Sequence, residues 1–251
     1  RPKGAMVEQR GMLNHILAMV ESLELDESCA VAQTASHCFD ISVWQFFAAL
    51  VAGGRTVIYS DDAVLDAAGL PQRFAADGVT AAQFVPSYLA VLLDHLEEQR
   101  ERAPLAGLRH LATIGEVLKP ELVRRCFALY PGLSLVNTYG PTEASDSIAH
   151  FPMRAPPPYA SVPVGRPVAN MRLYVLGAED RLCPVGVKGE ICVGGTGVGR
   201  GYLGDAERTR AAFGEDPFCP GARLYRTGDI GCYGEDGTLF FFGRRDFQVK
   251  V

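Results

Sequence analysis

The sequence predicts an α/β fold: a largely parallel sheet flanked by helices, followed by a smaller β-rich subdomain. Three observations predict it. From Met6 to about Ala149, helix-like and strand-like segments alternate, and alternation at these spacings builds βαβ units with parallel strands. Around residues 152–167 the composition shifts, and Pro156, Pro157 and Pro158 in a row prohibit regular structure. Beyond them, short apolar runs are separated by glycines, the pattern of short strands joined by turns. With 251 residues, 48% of them hydrophobic, there is ample material for a core.

The elements follow in order. Residues 11–23 place Leu13, Ile16, Leu17 and Val20 at helical spacing, and 30–34 read as a short strand. Residues 41–51 form an apolar helix stopped by Gly53 and Gly54. A strand at 56–59, a helix at 66–77 and a strand at 80–85 come next, and Pro86 suits the first turn of a helix running to about residue 100. Residues 108–113 are a strand, 120–130 a helix and 133–136 another strand; later strands are expected at 172–176, 189–193 and 238–242. The boundary falls near residue 155, giving an α/β subdomain over 1–155 that carries the substrate and nucleotide motifs and a β-rich one over 156–243.

Composition bounds the function. A net charge of −5, with basic residues paired only at Arg124-Arg125 and Arg244-Arg245, argues against nucleic-acid and anionic-membrane partners. No apolar run reaches the ~18 residues that a membrane span needs. Seven cysteines without a CxxC pair read as reduced thiols of a cytoplasmic enzyme, neither a disulfide framework nor a zinc site.

The densest chemistry lies in Asn137-Thr138-Tyr139-Gly140-Pro141-Thr142-Glu143. The apolar run before it must stop where Gly140-Pro141 impose a turn, which places the functional groups at a strand's carboxyl end, where α/β sheets bind ligands. Tyr139 offers a flat face to a purine, Thr142 a hydroxyl to phosphate, and Glu143 a hard oxygen to Mg²⁺. Taken alone, the same residues also describe a β-turn with a solvated Glu and a core Tyr. Four further segments accompany them: Arg1-Pro2-Lys3-Gly4; Gly189-Glu190-Ile191-Cys192-Val193-Gly194-Gly195, followed by Gly199-Arg200-Gly201-Tyr202; Tyr225-Arg226-Thr227-Gly228-Asp229; and the run from Gly243 to Val251. In the third, a tight Gly turn precedes a carboxylate able to accept from two ribose hydroxyls. Each segment separately is also compatible with glycine turns and surface ion pairs.

Together and in this order, the segments, with Phe39-Asp40-Ile41-Ser42-Val43-Trp44, resemble the adenylate-forming enzymes, most closely the amino-acid adenylation domains of nonribosomal peptide synthetases. The resemblance covers essentially the whole chain. It implies part of the large subdomain of such an enzyme, with residues 244–251 starting a hinge, at Asp246, to a C-terminal lid. Because adenylation domains are longer, the sequence reads as a piece of one, without the start of the phosphate loop or the lid and its lysine, and little catalysis is expected of it alone.

The resemblance further implies a two-step chemistry. A carboxylate attacks the α-phosphorus of ATP, pyrophosphate leaves, and the aminoacyl-AMP passes to a thiol. Carboxylate and triphosphate repel, so cations and aligned donors are needed. Carried over residue by residue, Lys3 holds the β and γ phosphates, Thr142 donates to phosphate, Glu143 ligates Mg²⁺, and Arg244 lies by the ribose or phosphates. Asn137, Tyr139 and Gly140 form the nucleotide motif, with Tyr139 stacking on adenine. Backbone near Gly115 lines the base pocket, and Asp229 takes the ribose; Phe241 stands where many relatives have tyrosine. The side-chain pocket comprises Asp40, Ile41, Trp44, Gln83, Ala112, Ile114, Thr138, Asp146 and Ser147. Asp40 is either an N-cap or the partner of a substrate ammonium. Asp146, if its carboxylate lines the pocket, calls for a polar, even cationic, side chain; facing solvent or a backbone amide, it says nothing of substrate. Expected partners are the amino acid, peptidyl carrier (with its phosphopantetheine) and condensation domains, and a small activating protein. An acyl-CoA or aryl-acid ligase and a catalytically silent adenylation-like scaffold are the rival readings; Asp40 argues against the first, and Thr142, Glu143, Asp229 and Arg244 in one chain against the second.

Overall fold

A computed structural model describes residues 3–98 and 105–245. Its strands are β1 (Ala5–Met6), β2 (Ala30–Gln33), β3 (Arg55–Ile58), β4 (Ala81–Phe84), β5 (His110–Thr113), β6 (Ser134–Tyr139), β7 (Ala149–Met153), β8 (Arg166–Pro167), β9 (Met171–Leu176), β10 (Gly189–Gly195), β11 (Gly201–Tyr202), β12 (Phe213–Glu215), β13 (Arg223–Tyr233) and β14 (Leu239–Arg244). Its helices are α1 (Gln9–Ser22), α2 (Ile41–Val51), α3 (Asp61–Leu65), α4 (Leu70–Asp77), α5 (Pro86–Glu98), α6 (Pro120–Leu129) and α7 (Ala206–Ala212). The chain divides into two compact units that interleave in sequence: an α/β unit of Ile16–Thr138 and Phe151–Val162, and a β-rich unit of Arg1–His15, Tyr139–His150 and Pro163–Val251. A linear boundary near residue 155 does not describe this arrangement. Residues 139–150 group with the later strands because Ser145 Oγ donates to the Gly197 carbonyl at 2.7 Å and Gly199 N to the Glu143 carbonyl at 2.8 Å.

In the α/β unit the strands run in the order β3-β2-β4-β5-β6, all parallel. β2, β4 and β5 are buried along their whole length, as strands covered on both faces must be, which is why small and apolar residues dominate them, with Gln33, Gln83, His110 and Thr113 as buried polar positions. Alternate residues feed two separate cores: Ala32, Ala82, Leu111 and Leu135 pack with Leu89, Leu92 and Phe127, while Val31, Ala81, Ala112 and Val136 pack with Met19, Leu23 and Trp44. The helix expected over 66–77 is corrected to α4, which begins only at Leu70, with the separate α3 before it, since Asp66 leaves helical geometry and its carboxylate accepts from Gly69 N at 3.0 Å. α4 then closes on Gly78 at φ +64°, a left-handed cap suited to glycine.

In the β-rich unit the order is β12-β13-β10-β9, with β14 also on β13. The register gives β12 the first part of one β13 edge and β14 the rest. The segment Tyr225–Asp229, expected at a tight turn, lies inside the 11-residue β13. Gly228 at φ +73° makes a bulge there instead, and the register shifts beside it. Among the described residues no helix is long and apolar enough to cross a membrane, and all seven cysteines are free thiols.

Candidate functional site

Of the predicted nucleotide residues, Tyr139, Gly140, Asp229 and Phe241 lie in the β-rich unit. Chain geometry at the motif depends on Gly140, where a Cβ would lie 1.9 Å from the Asp146 carbonyl oxygen, so no other residue fits without moving backbone. Just before it, Tyr139 Oη donates to Asp229 Oδ2 at 2.5 Å, and its ring lies 5.8 Å from that of Phe241. Burial, and then the Asp229 carboxylate beside it, push the Tyr139 hydroxyl well above the usual phenol range. Asp229 is held on its other oxygen by Arg244 Nη1 at 3.3 Å, and its amide donates to Thr227 Oγ1 at 2.9 Å. Arg244 is placed by register, directly across from Asp229, and also donates to the Thr227 carbonyl at 3.0 Å. Glu190 fixes the bulge by accepting from Gly228 N at 3.1 Å, which joins the glycine-rich strand to the Asp229 strand.

The second cluster surrounds Glu143, which is 5% exposed on a single 3₁₀ turn, Thr142–Ala144. Its Oε1 takes Lys3 Nζ at 2.8 Å and Tyr202 Oη at 2.6 Å. Burial opposes ionisation of Glu143, but the donors Lys3 and Tyr202 outweigh it and hold the carboxyl below its ordinary value. Lys3 is likewise pulled down by burial and raised, on balance, by Glu143. Among the described residues no three His, Cys, Asp or Glu side chains cluster as a metal cage. One carboxylate, with neither donor on Oε2, fits a Mg²⁺ ion that takes its remaining ligands from phosphates and water.

Asp146 and Ser147 face neither solvent nor a backbone amide alone. Asp146 Oδ2 is 3.1 Å from His15 Nε2, Ser147 Oγ is 3.0 Å from His15 Nδ1, and the same hydroxyl is 2.7 Å from His150 Nε2. All four side chains are buried. His15 therefore stands where a cationic substrate group was expected, which removes the argument from Asp146 for a cationic side chain. The His15–Asp146 contact lacks hydrogen-bond geometry, so it is a close approach of the two groups only. Ser145 and Asp146 adopt φ +66° and +72°, and this turn aims both side chains inward.

The α/β unit carries the other predicted residues. Trp44 Nε1 donates to Gln83 Oε1 at 2.6 Å, Gln83 Nε2 to Thr138 Oγ1 at 3.2 Å, and Thr138 Oγ1 to the Thr113 carbonyl at 2.9 Å. Gln83 and Thr138 thus engage each other, whereas their polarity was expected to describe the substrate. Ala112 and Ile114 are buried beside them in sequence on and after β5, and Ile41 packs against the Trp44 core. Asn137 Oδ1 accepts from Thr113 Oγ1 at 3.2 Å, and Gly115 follows β5 at φ +89°. Asp40 caps α2, accepting from Ile41 N at 3.1 Å. Asp246 lies outside the described residues. Tyr202, Glu190, His15 and His150 were not singled out from the sequence as single functional side chains; the signal for Tyr202 was its place at the end of the glycine-dense loop.

A family model described as AMP-binding enzyme matches residues 1–203. The chain belongs to the AMP-binding enzymes. Within them it is similar to parts of nonribosomal peptide synthetases: it is 38% identical over 250 residues to tyrocidine synthase 3 of Brevibacillus parabrevis, covering 100% of this chain and 4% of that protein. It is 38% identical over 255 residues to enterobactin synthase component F of Escherichia coli K12, covering 20% of it. Among solved structures, the nonribosomal peptide synthetase FmoA3 in its α-methyl-L-serine-AMP-bound form superposes with a TM-score of 0.91 at 32% identity over 99% of this chain and 28% of that one. A holo NRPS protein containing adenylation and PCP domains, bound to a vinylsulfonamide inhibitor, gives 0.88 at 31% over 100% and 43%. The chain thus spans less than half of each of these proteins.

Proposed function

We propose that the protein activates an amino acid with ATP as an aminoacyl-AMP and passes it, as a thioester, to the phosphopantetheine of a peptidyl carrier domain in nonribosomal peptide synthesis. The observation that carries this reading is that one unit holds both the Tyr139–Asp229–Arg244 cluster and the Lys3–Glu143 pair, with Tyr139 and Glu143 four residues apart on the 139–143 turn. Family membership and the named relatives support it.

In this reading a substrate carboxylate oxygen attacks the α-phosphorus, the bond to pyrophosphate breaks, and a carrier thiol later displaces AMP from the acyl group. Asp229 accepts from the ribose hydroxyls while Arg244 and Tyr139 hold it in place. Tyr139 and Phe241 offer ring faces to adenine, Gly115 backbone to its edge, and Thr142 and Lys3 donors to the phosphates. A magnesium ion held by Glu143 would neutralise charge on the bridging oxygens. Asp40 takes the α-ammonium, and Ile41, Trp44, Gln83, Ala112, Ile114 and Thr138 shape the side-chain pocket, with Asp146 and Ser147 behind them in sequence. Asp246 serves as the hinge, and carrier, condensation and small activating proteins as partners.

Asp40→Asn tests the amino-acid part of the reading. The KM for the amino acid should rise about tenfold or more, because a charge-assisted bond is lost, with the KM for ATP nearly unchanged. Equal effects on both would reduce Asp40 to its capping role.

A further inference from the structure

We propose that Tyr202 is a positioning residue for Glu143, the buried donor that keeps this carboxylate in place when Lys3 leaves it for a phosphate. The inference rests on the reading of Glu143 as the Mg²⁺ ligand. Both donors meet the same oxygen, Oε1, but they differ in freedom. The Lys3 side chain is 50% exposed, and a triphosphate competes with Glu143 for its three protons. Tyr202 is 7% exposed. Its amide donates to Thr209 Oγ1 at 2.9 Å, its strand pairs with β1, and its ring packs edge-on against Phe213 with centroids 5.7 Å apart. It cannot follow a ligand.

The physical need for such a donor is plain. Glu143 sits on one 3₁₀ turn in a buried setting, so the direction of its carboxylate depends on the donors that hold it. With Lys3 withdrawn, Tyr202 Oη still donates to Oε1, holds the carboxylate in direction and leaves Oε2 as the ligating atom. Tyr225, buried next to Tyr202, interacts with that hydroxyl and supports its orientation.

The test is the Mg²⁺ dependence of ATP-induced thermal stabilisation in the full-length protein. Tyr202→Phe keeps the ring and removes one hydroxyl. The Mg²⁺ concentration giving half the stabilisation should rise about tenfold, the worth of one hydrogen bond to a charged group. The nucleotide-free melting temperature should stay close to wild type. Tyr225→Phe, which leaves the Tyr202 donor in place, should shift the Mg²⁺ midpoint by less than about threefold. An unchanged midpoint in Tyr202→Phe beside a raised one in Glu143→Gln overturns the positioning role. Unchanged midpoints in both would instead remove Glu143 as the metal ligand.

Discussion

Tyr139 and Asp229 stand 90 residues apart in the chain and share a hydrogen bond of 2.5 Å. The bond joins the turn that follows the parallel sheet to the bulge in β13, and Arg244 completes it from the neighbouring strand. A carboxylate held from both oxygens is fixed in direction before any ligand arrives, which lowers the cost of binding.

Asp229→Asn should therefore impair nucleotide use specifically. The KM for ATP is expected to rise between about tenfold and a hundredfold, from the loss of charge-assisted hydrogen bonds, with a much smaller change for the amino acid. Steady-state pyrophosphate exchange at varied ATP measures it, and an unchanged ATP requirement contradicts the assignment.

Gly140 has no tolerated replacement. Its missing Cβ would meet backbone, the Asp146 carbonyl at 1.9 Å and Ser147 Cα at 2.6 Å, so Gly140→Ala must displace the turn carrying Tyr139 and Glu143. A loss of about 2 kcal/mol or more in urea unfolding is expected, within the range of large backbone effects. Wild-type stability in this variant would show that the turn adapts.

Gln83 is predicted to matter for stability before specificity. Gln83→Ala leaves the buried Trp44 indole N–H without its 2.6 Å acceptor and Thr138 without a donor. An unfolding penalty of about 1–3 kcal/mol follows from an unsatisfied buried group, readable by chemical denaturation. Gln83→Glu, which retains an acceptor, should recover part of it.

His150 supplies a pH dependence. Burial, reinforced by the neighbouring His15, pushes its pKa down to about 3, and the groups facing it include Ser147 and, beyond that hydroxyl, His15 and Asp146. Because the folded-state value lies below that of the unfolded chain, the stabilisation is complete above about pH 6.5 and is lost as pH falls toward 3. Between pH 7 and 5 the wild type should lose about 2 kcal/mol more than His150→Asn. Equal losses in the two proteins would contradict a neutral, buried His150.

Much of this was legible in the sequence. The parallel strands were visible because burial on both faces favours apolar and small residues, as at Ala30, Val31, Ala32, Ala81, Ala82 and Phe84. Helix α2 was visible from its apolar run and the glycines after it. β13 was hidden, since its inward positions include Thr227, Asp229 and Gly231 and Gly228 signals a turn while making a bulge. The polar pocket positions were identifiable, but not their partners: His15 sits 132 residues from Ser147, and Gln83 55 from Thr138. Neither pairing leaves a local pattern. The same is true of Tyr202, 59 residues from Glu143, in a loop whose glycines drew attention away from its aromatic end.

The most direct test of the proposed activity is amino-acid-dependent exchange of labelled pyrophosphate into ATP by the full-length protein, across a panel of charged, polar and apolar amino acids. The account predicts strong exchange with one or a few amino acids, abolished without Mg²⁺. Absence of amino-acid-dependent exchange across the panel, or exchange supported instead by fatty or aryl acids, would contradict it.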